Sequence, residues 1–416
     1  MPDIHKYGFK KLTLIKDVWK ILAPYIKILP DEQIKSIDGL GRFLASDVIS
    51  SMDVPHFDRS AMDGYGIIAE DSFGASPHKP KVLKLIDKIE INEISSKKLK
   101  RGEAIKVATG SPIPLGVNAI VKIEDTKINK DEIEVYVSVT PNKNISKKGE
   151  DVKKSEKIME KYQQLRPQDI TLLIACNVDT IKVIKKPTVA IISTGSELVE
   201  LGSSPKIGEI IETNTHSIAL YTELYGGIPI RLGIVEDVSE KIREILHKAV
   251  KQDIIVFSGG TSVGEKDLLP SIMEDEGNLL VHGIAMRPAS PTAIAIIKNK
   301  PVFCLPGFPV ATIIGFEDFV GPTIRKMQGA KILDPRPVIK ATLKRGIPSK
   351  LGRRDFARVT IEKINGEYYA TPIRVSGSGI ISSLVKADGI IKIPEDVEGL
   401  EKDSVVKVHL FLPISV

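Results

Sequence analysis

Residues 187–329 limit the fold most strongly, because short β-branched runs alternate there with helix-like segments. Thr188–Ile192, Ile228–Ile234, Ile254–Phe257, Leu279–Val281, Thr292–Ile297 and Val302–Leu305 read as strands. Thr213–Tyr225, Val238–Val250, Leu268–Glu276 and Val310–Met327 read as helices, with Asn214 as an N-cap. This alternation predicts an open, largely parallel sheet, and such sheets bind ligands beyond the carboxyl ends of their strands. Three of those ends are rich in Gly, Ser, Thr or Pro. Val189–Ile192 runs into Ser193-Thr194-Gly195-Ser196-Glu197, Ile254–Phe257 into Ser258-Gly259-Gly260-Thr261-Ser262-Val263-Gly264, and Val302–Leu305 into Pro306-Gly307-Phe308-Pro309. Glycines let backbone N–H groups approach an anion, and helix N-termini add a favourable dipole. A phosphate-bearing small molecule is therefore expected at the Ser258–Gly264 loop. None of the three loops matches the P-loop or the dinucleotide fingerprint.

Carboxylates stand close to these loops: Glu197 ends the first, Glu265 and Asp267 follow the second, and Asp237 follows the strand Ile228–Ile234. Acids beside an anion site make sense if a divalent metal bridges them to phosphate. Asp237 and Asp267 read equally well as helix caps, whereas Glu197 does not. Arg287, in Met286-Arg287-Pro288-Ala289-Ser290-Pro291-Thr292, offers a bidentate oxyanion ligand or a surface arginine in a proline-stiffened turn. Asp58, Asp63 and Asp151 lie outside the alternating region, in Asp53–Gly66 and Lys148–Val152. Taken alone they read as turn caps. A site using them requires another domain or another subunit to reach the sheet edge.

The remaining sequence bounds the class. A chain of 416 residues holds two to four domains at roughly 100–200 residues each. Residues 51–146 are punctuated by Pro and Gly between short β-prone runs, including the alternating Ile133, Val135, Val137 and Val139, and form a mostly-β domain. Residues after 329 return to short alternating strands, the pattern of a small β-barrel. Leu14, Ile15, Val18 and Leu22 mark a short N-terminal helix ended by Pro24. A net charge of +6 with no aromatic–basic interleaving argues against nucleic acid. Cys176 and Cys304 each sit in an apolar run, which excludes a disulfide scaffold and a zinc site. Met1–Lys11 lacks a signal-peptide run, and no apolar stretch approaches the ~20 residues that span a bilayer. A cytoplasmic protein without membrane association is expected.

Together these motifs resemble the molybdopterin molybdenumtransferase family, the MoeA proteins, with the E domain of gephyrin as a eukaryotic relative. The resemblance rests on Phe57-Asp58-x-Ser60-Ala61-Met62-Asp63-Gly64-Tyr65, Ala108-Thr109-Gly110, Gly149-Glu150-Asp151, Ser193-Thr194-Gly195-x-Glu197-Leu198, Ser258-Gly259-Gly260-x-Ser262-Val263-Gly264-x-x-Asp267 and Leu305-Pro306-Gly307-x-Pro309. It implies a multidomain α/β plus β fold. A MogA-like α/β sandwich spans 187–329, a β domain is inserted at 51–146, a discontinuous stalk comprises 1–50 and 147–186, and a C-terminal β-barrel covers 330–416. It also implies an activity: molybdate, or tungstate, is inserted into adenylylated molybdopterin with release of AMP. Mg²⁺ or a similar divalent ion assists, the enzyme is a homodimer, and a MogA/MoaB-type adenylyltransferase supplies the substrate. The implied site lies between the α/β domain of one subunit and β domains of the other. Its functional acids fall on Asp63, Asp151, Glu197, Asp237 and Asp267, with Glu197, Asp237 and Asp267 on the metal. Substrate contacts fall on Thr109, Gly110, Thr194, Gly195, Ser258, Gly259, Gly260, Thr261, Ser262, Arg287, Pro306, Gly307, Arg358 and Ser378. The chain departs from the family pattern at three positions. Gly283 replaces the first of two lysines spaced four apart (Arg287 keeps the charge of the second), Ser290 replaces a lysine, and Phe308 an asparagine. A molybdopterin adenylyltransferase-like enzyme and a non-catalytic pterin-binding paralogue are the alternatives. The β domains and the acids outside the sheet favour the metal-inserting transferase.

Overall fold

The computed structural model describes residues 12–260, 268–374 and 377–412. Two compact units are present: Met1–Glu32 with Gly41–Phe43 and Ile184–Val416, and Gln33–Leu40 with Leu44–Val183.

The first unit is built on a six-stranded sheet in the order Ile228–Val235, Thr188–Thr194, Ile254–Ser258, Lys300–Leu305, Ala293–Ile297, Asn278–His282. Neighbouring strands are parallel from the first through Lys300–Leu305, and Ala293–Ile297 is antiparallel to both of its neighbours. The apolar runs are continuous because both sheet faces are covered. Val189, Ile191, Ile254, Val256, Phe303 and Leu305 point into one core, with the helices Asn214–Leu224 and Pro309–Gly315 and the N-terminal helix Ile15–Leu22. Ala190, Ile192, Ile255, Phe257, Val302 and Cys304 point into the other, beneath Ser239–Ala249 and Leu268–Glu276. Successive side chains of a strand face opposite sides, so each residue of such a run contributes burial to one layer or the other, about 1.5–3 kcal/mol for a large apolar side chain. Cys304 belongs to this packing, and burial pushes its thiol up to about 12, which makes it a small hydrophobe.

The expected helix over Val310–Met327 is three segments. Pro309–Gly315 and Gly321–Met327 are α-helical, and Phe316–Val320 between them is a π-turn. The π-turn turns Glu317 and Asp318 inward together, 4% and 6% exposed. There they meet Arg336, whose guanidinium contacts Glu317 at 2.7 Å and Asp334 at 2.8 Å. Lys392 completes the cluster at 3.0 Å from Asp318.

Residues after 329 form a closed β-barrel. Arg354–Ile364 pairs with Glu367–Arg374, which pairs with Val338–Leu343, then Val405–Leu410, then Gly389–Ile393, which returns to Arg354–Ile364. The core of the barrel is Leu343, Val359, Ile391, Ile393 and Val408 with their neighbours.

The second unit carries a six-stranded sheet in the order Ala119–Lys122, Gly64–Ile67, Glu103–Val107, Lys81–Ile89, Glu132–Val135, Thr126–Asn129. A separate small core gathers Leu44, Val48, Met159, Leu165, Ile170, Leu173, Ile181 and Val183. Its helix Pro167–Ala175 starts at Pro167, which needs no N–H partner at that position, and the Asp169 carboxylate accepts the Arg166 backbone N–H at 2.8 Å.

Candidate functional site

A cavity of about 560 Å³ opens at the carboxyl edge of the sheet in the first unit. All three glycine-containing loops reach it. Its wall includes Thr194, Glu197, Asp237, Ser258, Gly259, Gly260, Pro306 and Gly307. These residues come from four strand ends, and the parallel sheet brings those ends to one side. The size suits a drug-sized or nucleotide-sized ligand.

The loops are tied to one another before any ligand arrives. Gly259 donates its N–H to Leu305 O at 3.0 Å, and Gly195 donates to Val235 O at 3.3 Å. Both N–H groups therefore serve the scaffold. The N–H groups of Gly260 and Gly307, for which no partner stands among the described residues, remain to receive an anion. Gly259 has φ +102°, and a Cβ there would stand 2.3 Å from Thr194 O, so the close approach of the two loops requires glycine. Thr194 is 3% exposed, and its hydroxyl, against this bare backbone, has no hydrogen-bond partner among the described residues. A buried hydroxyl left unpaired costs about 1–3 kcal/mol.

Asn214 was expected to cap its helix, but Thr213 holds the N-cap position and Asn214 is the first helical residue. The capping is done by Glu212, whose carboxylate accepts the Thr215 N–H at 2.8 Å and the Thr215 hydroxyl at 2.5 Å. Asn214 is thereby released to brace the loops. Its Nδ2 donates to Ser258 Oγ at 2.8 Å and to Gly307 O at 2.7 Å, joining two strand ends. Both Asn214 and Glu212 line the cavity, and both were missed as site residues. The local signal, a polar residue before an apolar helix, fits a cap equally well, and only the tertiary neighbours distinguish the two roles.

Asp237 does not cap the following helix. Val238 holds the N-cap position there, and Asp237 lines the cavity. Arg287 lies on the two-residue strand Met286–Arg287, with its guanidinium on Asp355 at 2.7 Å. Arg358 is 1% exposed within the barrel. Neither arginine lines the cavity. Ser378 accepts the Val310 N–H at its backbone oxygen, 2.9 Å, and the adjacent Gly379 lines the cavity. At the departures from the family pattern, Ser290 donates its hydroxyl to Ile284 O at 3.0 Å and Phe308 lines the cavity, whereas Gly283 does not. Thr261, Ser262 and Asp267 lie outside the described residues. In the second unit the exposed Asp63 accepts the Thr109 N–H at 2.7 Å, Gly110 donates to Ser60 O at 2.8 Å, and Asp151 is exposed and donates its N–H to Val54 O at 3.1 Å.

Among the described residues, no group of three or more His, Cys, Asp or Glu is arranged to hold a metal. Glu197 and Asp237 supply two carboxylates to one wall. That donor set suits Mg²⁺, which is commonly held by one or two carboxylates, with substrate phosphates and water completing the shell. The bridging Asn214 makes a specific prediction. Asn214→Ala and the isosteric Asn214→Asp, which cannot donate to Gly307 O, should both lower kcat/KM by about 10- to 100-fold through loop displacement. Steady-state kinetics on the two variants checks this; an Asn214→Asp enzyme with full activity would refute the bracing role.

Three family models match the chain: the MoeA N-terminal region (domain I and II) over residues 13–177, a probable molybdopterin binding domain over 190–326, and the MoeA C-terminal region (domain IV) over 340–411. A putative molybdopterin biosynthesis protein of Methanocaldococcus jannaschii is 37% identical, covering 96% of this chain and 98% of its own. A molybdopterin molybdenumtransferase of Staphylococcus epidermidis is 32% identical, covering 90% of this chain and 89% of its own. The crystal structure of a molybdopterin biosynthesis MoeA protein from Pyrococcus horikoshii superposes with a TM-score of 0.84 at 36% identity, covering 96% of this chain and 100% of that one. No helix among the described residues is long and apolar enough to cross a membrane.

Proposed function

The chain belongs to the MoeA family of molybdopterin molybdenumtransferases and is a transferase of molybdenum cofactor biosynthesis that handles molybdate; from that premise we propose that its substrate is adenylylated molybdopterin, bound in the cavity at the sheet edge. One observation carries this reading: the Glu197 and Asp237 carboxylates line the same cavity as Gly260 and Gly307, whose N–H groups have no partner among the described residues. Gly260 and Gly307 donate to phosphate oxygens. Glu197 and Asp237, with Asp267, would hold Mg²⁺, which would supply neutralisation of phosphate charge. The loops and the buried wall hold the phosphates in place while oxyanion and dithiolene meet.

The enzyme works as a cytoplasmic homodimer in this reading, with Asp63 and Asp151 supplied by the second copy. It receives its substrate from an adenylyltransferase of the MogA/MoaB type. Tungstate is an alternative oxyanion, because Gly283 and Ser290 remove two positive charges of the family pattern.

Glu197→Gln and Asp237→Asn should each raise the Mg²⁺ concentration needed for half-maximal AMP release by about ten-fold or more, as loss of a metal partner does. Asp267→Ala should abolish insertion while leaving folding intact. A magnesium titration of AMP release measures the first effect and circular dichroism the second. An unchanged magnesium requirement in both Glu197→Gln and Asp237→Asn would remove these residues from the metal site.

A further inference from the structure

Phe308 is the one large aromatic side chain on the wall of the cavity among the described residues, and it is 63% exposed. Its place in the chain is unusual. It is the N-cap residue of Pro309–Gly315 and makes no side-chain cap. Ser, Thr, Asp and Asn are preferred at such positions, and replacing them costs a helix about 1 kcal/mol. The backbone there is nevertheless held firmly. Phe308 O accepts the Thr312 N–H at 2.9 Å and the Thr312 hydroxyl at 3.1 Å, the same hydroxyl bonds Pro306 O at 2.5 Å, and Pro309 occupies the first helical turn. The ring itself belongs to neither core of the α/β sandwich. A Cβ on Gly379 would stand 3.3 Å from Phe308 Cδ1, so that glycine lets the ring lie close to a second cavity-lining loop. The ring is also next to the anion cradle in sequence and in space. Gly307 precedes it, and a Cβ on Gly307 would be 3.5 Å from the Cα of Gly259. Leu198, Ile210 and Pro291 add apolar surface to the same cavity.

We propose that Phe308 is the stacking platform for a planar heteroaromatic ring of the substrate, placed one residue beyond the N–H group that receives its phosphate. This rests on the phosphate-binding reading of the cavity given above. An exposed aromatic beside a phosphate cradle matches a ligand that carries a flat ring at short distance from a phosphate. Pterin and adenine both have that chemistry, and stacking is tolerant of ring identity because each presents a π-face.

Calorimetric titrations with Mg²⁺ present test the platform on the intact protein. The ligands are AMP, 6-hydroxymethylpterin phosphate and ribose 5-phosphate, which keeps the phosphate and sugar of AMP without its ring. Phe308→Ala should weaken one ring-bearing ligand by about 5- to 100-fold, the range of single-ring stacking, and leave ribose 5-phosphate within two-fold. Phe308→Tyr should restore binding. The ligand that loses affinity identifies the ring: AMP for adenine, the pterin phosphate for pterin. Because Phe308 is exposed, the thermal midpoint should not move. Equal losses for ribose 5-phosphate, or unchanged binding of both ring-bearing ligands by Phe308→Ala, would overturn the platform alone. Failure of wild-type protein to bind any of the three would overturn the phosphate-binding reading, and the platform with it.

Discussion

Gly259→Ala should lower kcat/KM by at least about 100-fold, the loss that a displacement near 1 Å causes at a reacting centre. Two effects combine at this position. The backbone sits at φ +102°, and the new Cβ would fall 2.3 Å from Thr194 O and 3.0 Å from Thr194 Oγ1. A backbone carbonyl cannot swing aside as a flexible side chain does, so the Ser258–Gly260 and Ser193–Glu197 loops must part. That separation moves the Gly260 N–H away from Thr194 and Glu197. The fold should tolerate the change better than the activity, since strained φ alone costs about 1–3 kcal/mol. Gly352→Ala is the matched control: its φ is +81°, no atom lies within 4 Å of the added Cβ, and it sits outside the cavity. It should show the strain cost in thermal unfolding and full activity. Near-normal kcat/KM in Gly259→Ala would mean that the contact between the loops does not shape the site.

Arg336→Met should destabilise the first unit by about 3–5 kcal/mol, the usual consequence of removing one partner from a buried ion pair. Against a typical stability of about 5–15 kcal/mol this is a large fraction. Arg336 and Glu317 have side chains 8% and 4% exposed, and Asp334 takes two more bonds from the same guanidinium at 2.9 and 2.8 Å. Without Arg336, the buried Glu317 and Asp334 keep Lys392 and, beside Asp334, His409 as compensation. Adding Glu317→Gln to Arg336→Met should recover part of the loss, because one buried charge is then removed. Glu317 also has a pH signature. Burial pushes its carboxyl up to about 7 from an ordinary 4.5. A raised folded-state value means that its favourable contribution is complete below about pH 4.5 and is lost as pH rises through 7. Glu317→Gln should therefore gain stability relative to wild type across that window, measured as the difference in thermal midpoint at pH 4.5 and pH 8. A constant difference would show that Glu317 does not titrate there.

The strands were readable because a sheet covered on both faces needs an unbroken apolar run, and Val189–Ile192 and Ile254–Phe257 each supply one. The loops after them were readable because Gly259, Gly260 and Gly307 have few uses at a strand end other than a tight turn or a close approach. The brace formed by Asn214 was not readable, since it depends on Ser258 and Gly307, 44 and 93 residues away. For the same reason the sequence could not separate the Gly259 N–H, taken by Leu305, from that of Gly260. The π-turn at Phe316–Val320 was hidden inside an apolar helical pattern. Only Arg336 and Lys392, outside that segment, explain why Glu317 and Asp318 face inward. Arg287 looked free to meet an oxyanion because its partner Asp355 is 68 residues on.

The most direct test is AMP release from adenylylated molybdopterin with Mg²⁺, with and without molybdate or tungstate, for wild type, Gly259→Ala and Asp237→Asn. This site predicts release by wild type that depends on one of the two oxyanions, is slowed by about 100-fold or more in Gly259→Ala, and needs about ten-fold more Mg²⁺ in Asp237→Asn. AMP release at the same rate without either oxyanion, or undiminished in the two variants, would contradict it.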